Sequence, residues 1–177
     1  MNYKSISPNE IPTNVFDDIG KRAMLIGAYD KDSKKDRKYN AMTASWGAMG
    51  VLWGKPVFWC YIRPQRYTME FVNQTDVATL SFFGDNTEAK NALKICGTKS
   101  GRDGDKLAQA GLTPIITQNG ELMFDEAHMT IVGKKLYVGK ISPDGFEDAS
   151  LDRANYPAKD YHFQLCYEIT DVRIKEN

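Results

Sequence analysis

The apolar and polar positions along this chain favour strands over helices. Ala23–Tyr29 is an almost unbroken apolar run of strand length, the pattern of a strand covered on both faces. Residues 40–46, Asn-Ala-Met-Thr-Ala-Ser-Trp, suit a second strand. Pro56–Ile62 is aromatic and β-branched, as a central strand should be, and Val77–Phe83 is a further strand. His128–Val138 and Phe163–Ile174 are the two longest strand candidates, and the second alternates polar and apolar over several residues. The charged stretch at 30–38, between the first two strands, reads as a solvated hairpin loop.

Helical periodicity is rarer. Ala89, Ala92, Leu93 and Cys96 fall at i, i+3, i+4 and i+7, which predicts a helix over Thr87–Cys96 with one apolar face. Gly97 follows where a C-terminal glycine is expected. Tyr67–Asn73 suits a second short helix and Asp103–Ala110 a third, ended by Gly111. Many strands in succession, with helices inserted between some of them, predict a mainly β fold. The arrangement is a closed antiparallel barrel rather than alternating β-α-β units. No repeat, low-complexity segment or linker interrupts the 177 residues, so one domain over 1–177 is expected, large enough to bury a core without staples.

Composition removes several classes of function. Lys and Arg number 23 against 23 Asp and Glu, so no overall charge drives the chain toward nucleic acid or an acidic membrane surface. The cysteines, Cys60, Cys96 and Cys166, are odd in number and contain no C-x-x-C, which fits reduced, buried thiols in a cytoplasmic protein. The segment Met1–Pro8 lacks the apolar core of a signal peptide, and no apolar run is long enough to cross a bilayer. A soluble cytoplasmic protein is the expectation.

Conventional catalytic motifs are missing. No G-x-G-x-x-G follows a strand, Thr98-Lys99-Ser100 fails as a phosphate-binding P-loop, and no G-x-S-x-G offers a nucleophilic serine. His128 and His162 belong to no metal-ligand spacing. What remains is a dispersed polar set. Thr43, Ser45 and Trp46 lie at one strand end; Arg63, Arg66, Tyr67 and Thr68 at the exit of the aromatic strand; Ser100, Arg102 and Lys106 in and after a Gly-rich turn at 97–104. Hydroxyls and arginines hydrogen-bond phosphate oxygens, and aromatic faces take a flat ring. Singly, each segment reads as ordinary structure: an edge strand, a helix start capped by Thr68, a helix end.

Together they resemble a known pattern. Asn40…Met42-Thr43-Ala44-Ser45-Trp46, Arg63-Pro64-x-Arg66-Tyr67-Thr68, Leu80-Ser81-Phe82-Phe83 and Cys96-Gly97-x-Lys99-Ser100-Gly101-Arg102-Asp103-x-Asp105-Lys106 are similar to the flavin reductase-like family, in its flavoredoxin-type branch, from about Ala23 to Ile174. The resemblance implies an antiparallel split β-barrel that binds FMN, as a homodimer with flavin near the subunit interface. It implies that Thr43, Ala44, Ser45 and Trp46 touch the flavin. Arg66 and Thr68, with Ser100 and Lys106, would hold the ribityl phosphate, and Tyr67 would contact or support that loop.

A flavin supplies its own redox chemistry, so a site without a protein acid, base or nucleophile is consistent with such an enzyme. The first reading is an FMN-binding oxidoreductase taking hydride from NADH or NADPH, with free flavin, oxygen or a partner protein as final acceptor. The second is a flavin-binding electron carrier or sensor without its own nicotinamide turnover. The third is a barrel that binds no cofactor. The cysteines are expected to be structural, against a competing thiol relay through Cys96. No catalytic side chain and no metal ligand is expected.

Overall fold

The computed structural model describes residues 3–176. In chain order the elements are β1 (Tyr3–Ile6), α1 (Val15–Asp18), β2 (Met24–Tyr29), β3 (Tyr39–Ala44), β4 (Gly47–Leu52), β5 (Lys55–Ile62), α2 (Tyr67–Gln74), β6 (Val77–Phe82), α3 (Thr87–Thr98), α4 (Lys106–Gln109), β7 (Pro114–Ile116), β8 (Leu122–Phe124), β9 (Met129–Lys140), α5 (Ala149–Asn155) and β10 (Phe163–Lys175). Eight strands form one antiparallel sheet in the order β3-β2-β6-β9-β10-β5-β4, with β1 added beside β10; β7 and β8 make a separate hairpin.

The ladder does not close. β3 and β4 lie at its two ends and are joined only through the chain at Ser45 and Trp46. The sheet is the antiparallel split barrel that the family resemblance implies, rather than the closed barrel suggested by the strand pattern alone. Its curvature is carried by β10, which pairs with β5 over Phe163–Glu168 and with β1 over Val172–Lys175 while β9 runs along its other side. Register shifts in the β9–β10 pair, between Cys166 and Tyr167 and between Ile169 and Asp171, let these long strands bend.

Two cores explain the unbroken apolar run of β2. Side chains alternate across a strand, so Ile26 enters the barrel interior with Phe58, Phe71, Phe82, Leu80, Ile131 and Tyr167, while Leu25 faces outward. There it meets Ala92, Leu93 and Cys96 of α3, with Phe83 and Phe124. Helix α3 thus covers the outer face of β2 and β3.

Several expectations shift. Gly97 does not end α3; the helix runs on to Thr98, and the Lys99 N–H caps it on the Ile95 carbonyl. The glycine allows a close approach instead: a Cβ there would lie a tight 3.3 Å from Thr43 Cβ on β3. The third helix is confined to Lys106–Gln109 because Asp105, not Asp103, caps it through the N–H groups of Leu107 and Ala108. Thr68 is not a cap: it lies in the first turn of α2, which Arg66 precedes without a capping side chain. The 30–38 segment is the expected hairpin loop, yet Lys35 pairs with Glu70 and Arg37 donates to the Gly101 carbonyl. β1, α1, β4, the β7–β8 hairpin and α5 have no counterpart among the expected elements. Among the described residues no helix is long and apolar enough to cross a membrane.

Candidate functional site

The three polar segments picked out in the sequence meet at one edge of the barrel, beside the β3–β4 split. β3 delivers Met42–Ala44 and the connector Ser45-Trp46; β5 exits into Arg63–Arg66 and α2; the C-terminus of α3 turns through 99–105 into α4. Asn40 at the start of β3 ties two of them together: its buried amide donates to Thr68 Oγ1 at 2.7 Å. Gly101 lies directly over this pair, where a Cβ would fall 2.3 Å from Asn40 Oδ1, so no larger residue fits. Thr43 closes the third side, its hydroxyl donating to the Leu93 carbonyl of α3 at 2.5 Å.

Two adjoining hollows result. The first, of about 340 Å³, is lined by Arg63, Arg66, Tyr67, Thr68, Ser100, Arg102, Lys106 and their neighbours. The second, narrower at about 160 Å³, is lined by Met42, Thr43, Ala44, Ser45, Trp46, Tyr61 and His162. Met42, Arg63 and Arg66 border both, so the two spaces adjoin along one wall. All nine expected site residues, Thr43, Ala44, Ser45, Trp46, Arg66, Tyr67, Thr68, Ser100 and Lys106, line one or the other.

The first hollow is a concentration of positive charge. Lys106 is only 4% exposed, and its ammonium donates to the carbonyls of Cys96 (2.9 Å) and Lys99 (3.2 Å). Arg66 donates to the carbonyl of Gly97 at 3.0 Å. Both cations thus sit at the C-terminus of α3, where free carbonyls and the helix dipole favour them. Among the described residues no carboxylate lies within ion-pairing distance of either. Burial, and secondarily the neighbouring Arg66, push the Lys106 pKa down. Arg102 is held differently, paired with Glu70 and stacked 4.8 Å above the Tyr67 ring. A small dianion fits this donor set: it would supply the counter-charge that the two α3-bound cations lack.

The second hollow is aromatic. Trp46 is 42% exposed and its ring lies 4.8 Å from that of His162. His162 has no metal-ligand spacing, and its partners Trp46 and Tyr156 form no pattern with it along the chain, so no local motif marks it. Desolvation, with Arg63 nearby, pushes its pKa down to about 4. Among the described residues no group of His, Cys, Asp or Glu is placed to hold a metal ion.

Beyond Trp46 the second hollow opens into an apolar groove of about 710 Å³, which shares Ser45, Trp46 and Tyr61 with it. Phe16, Met49, Ile141, Phe146 and Leu151 form its walls, and no Lys, Arg, His, Asp or Glu lines it. The cysteines are outside all these spaces and fully buried. Burial pushes the Cys96 thiol up to about 11, and the Cys60 thiol higher still.

The family model described as flavin reductase like domain matches residues 17–177. No curated protein sequence matches the chain significantly. Similar solved structures share the fold at low identity. A flavoredoxin from Desulfovibrio vulgaris (Miyazaki F) is 24% identical over 87% of this chain and 69% of its own, with a TM-score of 0.63. An FMN-binding protein from Thermus thermophilus, solved with bound 1-cyclohex-2-enone, is 19% identical over 85% and 68%, with a TM-score of 0.61. The FMN-binding domain of a flavin reductases-like enzyme from Shewanella baltica is 13% identical over 98% and 77%, with a TM-score of 0.63.

Proposed function

The chain belongs to the flavin reductase-like domain family, and on that premise we propose that it is an FMN-binding oxidoreductase whose bound flavin takes hydride from NADH or NADPH. The observation that carries the reading is the pairing of a cationic hollow with an aromatic one across a shared wall of Met42, Arg63 and Arg66. FMN has that polarity: a phosphate dianion at one end and a flat ring at the other. Lys106 and Arg66 would hold the phosphate by charge-assisted hydrogen bonds, with Ser100 beside them. Thr68 would join them: its hydroxyl accepts from Asn40, which fixes its oxygen and leaves its proton free for a phosphate oxygen. Thr43 contributes by orienting the wall, its own hydroxyl proton being committed to Leu93. Trp46 and the backbone of Ala44–Trp46 would flank the ring. The isoalloxazine, when bound, supplies the redox chemistry; the protein binds it, orients it and limits water around it.

The apolar groove favours a second reading of the same site, a flavin-binding electron carrier without nicotinamide turnover. A dinucleotide carries a pyrophosphate, and no cation lines the groove to receive it. An uncharged apolar reactant suits those walls better. NADH and NADPH added without oxygen to the FMN-loaded protein separate the two. Bleaching of the flavin band within seconds supports the reductase, and a flavin that bleaches only with dithionite supports the carrier.

Homodimerisation belongs to the same proposal. β6 is covered within the chain itself, by the barrel core on one face and by β8 on the other, where Thr79 donates to the Leu122 carbonyl, so it offers no interface. Three exposed apolar side chains, Phe16 (81%), Leu151 (52%) and Trp46, line the groove, and a second copy laid there would cover them. Light scattering of the flavin-loaded protein is expected to give about twice the 20.0 kDa chain mass; a monomer at micromolar concentration would remove this part.

A further inference from the structure

The narrow hollow contains one polar side chain whose chemistry the function above leaves unused. His162 borders it and is hydrogen-bonded through Nδ1 to Tyr156 Oη at 2.9 Å, with both residues buried. Tyr156 is held in turn. It packs against Phe146 and Tyr161, and the Arg63 guanidinium lies 5.2 Å over its ring. Arg63 is anchored by the Asp160 carboxylate and the Asn155 carbonyl. The imidazole therefore cannot swing away from the hollow without dismantling this cluster.

The proton count fixes its tautomer. One proton lies between Tyr156 Oη and His162 Nδ1. Were it on Nδ1, the hydroxyl proton of Tyr156 would need a different acceptor, and among the described residues Tyr156 Oη has no hydrogen-bond partner other than His162. A buried hydroxyl left with an unpaired proton is costly. The hydroxyl therefore donates to Nδ1, and a neutral imidazole carries its own proton on Nε2. Arg63 and Arg66 oppose a second proton on the ring while Asp160 favours one, and burial decides for the neutral form. Nε2–H has no acceptor within the protein among the described residues, and the ring borders the hollow with Thr43, Ala44, Ser45 and Trp46.

We propose that His162 is a hydrogen-bond donor to the flavin ring, delivering Nε2–H to an acceptor on the isoalloxazine, and that Tyr156 is the positioning residue that fixes this tautomer. The inference rests on the flavin reading above. A fixed N–H donor selects a carbonyl oxygen or an unprotonated ring nitrogen and rejects a ring N–H, so it sets which edge of the ring faces His162. Contact with Trp46 at 4.8 Å makes the same imidazole a prop for the aromatic wall.

Side-chain ¹⁵N NMR of the flavin-free protein reads the tautomer without any variant. His162 is expected to show a protonated Nε2 and an unprotonated Nδ1 from about pH 5.5 to 8; a protonated Nδ1 overturns the proposal. On addition of FMN the Nε2–H signal is expected to shift, and an unmoved signal in a protein that binds FMN overturns it too. His162→Phe is expected to weaken FMN and riboflavin alike by about threefold to tenfold, the value of one neutral hydrogen bond. His162→Gln, which keeps an N–H donor, should recover most of that loss. Tyr156→Phe should give mixed tautomers and a smaller loss. Wild-type protein that binds no flavin overturns the functional reading and this inference together. Wild-type protein that binds flavin, with His162→Phe unchanged in affinity and spectrum, overturns the inference alone.

Discussion

Replacing Lys106 by methionine separates the phosphate end of the site from the ring end. The ammonium is almost fully buried and its hydrogen bonds go to the Cys96 and Lys99 carbonyls, with no carboxylate beside it among the described residues. In the flavin-free protein two terms oppose each other. Methionine strands two carbonyls at about 1–3 kcal/mol each, and it removes a buried charge whose desolvation costs several kcal/mol. Because the terms offset, the variant's stability should stay within about 2 kcal/mol of wild type. Binding has no such offset: losing a charged hydrogen bond to a phosphate costs about 1.5–3 kcal/mol, roughly tenfold to a hundredfold in dissociation constant. Riboflavin lacks the phosphate and should bind both proteins alike. A pH arm sharpens the test. Burial holds the Lys106 pKa down in the free protein, and a phosphate dianion beside it would raise it again. FMN binding then takes up a proton at alkaline pH, so affinity falls as pH rises through the lowered value. Lys106→Met should lose that alkaline fall. Fluorescence-quenching titrations of both flavins against pH measure all of this. Equal weakening for FMN and riboflavin, or an unchanged FMN constant, would refute the phosphate assignment.

Three further outcomes follow from the packing. Cys96→Ala and Cys60→Ala should each lose about 1 kcal/mol of stability by cavity formation yet keep FMN and its reduction, because thiols pushed this far up by burial supply no thiolate near neutral pH; a folded, flavin-loaded Cys96→Ala protein that transfers no electrons would reinstate the thiol relay. Tyr167→Phe should raise the denaturant midpoint by the equivalent of about 1 kcal/mol, since the Tyr167 hydroxyl is buried without a partner among the described residues while its ring stacks 5.0 Å from Phe58; a lowered midpoint would mean that the hydroxyl has a partner. His162, whose pKa burial pushes down to about 4, is neutral in the folded protein and must charge as acid unfolds it. Stability should thus fall as pH drops from about 6.5 to 4, by on the order of 1–3 kcal/mol from this residue, and His162→Gln should show a shallower fall over that window; parallel curves would show that His162 titrates alike folded and unfolded.

The strands that carry both cores were the legible ones. β2, β5, β6, β9 and β10 announce themselves because each buries one or both faces, and burial writes a run or an alternation into the sequence. β4 escaped because Gly47, Ala48 and Gly50 have little strand propensity and its residues are half exposed. The β7–β8 hairpin escaped because three-residue strands are too short to show a period. Gly97 misled because a glycine after an apolar helical face ordinarily ends the helix, whereas here it makes room for Thr43 on a neighbouring strand. Within the site, Thr43–Trp46, Arg66–Thr68 and the 97–106 turn are contiguous segments and could be read. His162 and Tyr156 could not, because their chemistry is created by one long-range assembly of Trp46, Arg63 and the turn before β10.

The claim that the two adjoining hollows together hold FMN end to end is tested most directly by a crystal structure of the protein grown with FMN. The account predicts phosphate electron density between Arg66, Ser100 and Lys106, with the ring lying along Thr43–Trp46 beside His162. Flavin bound with its phosphate outside the Arg66–Lys106 hollow, or crystals in which saturating FMN leaves both hollows without flavin density, would contradict it.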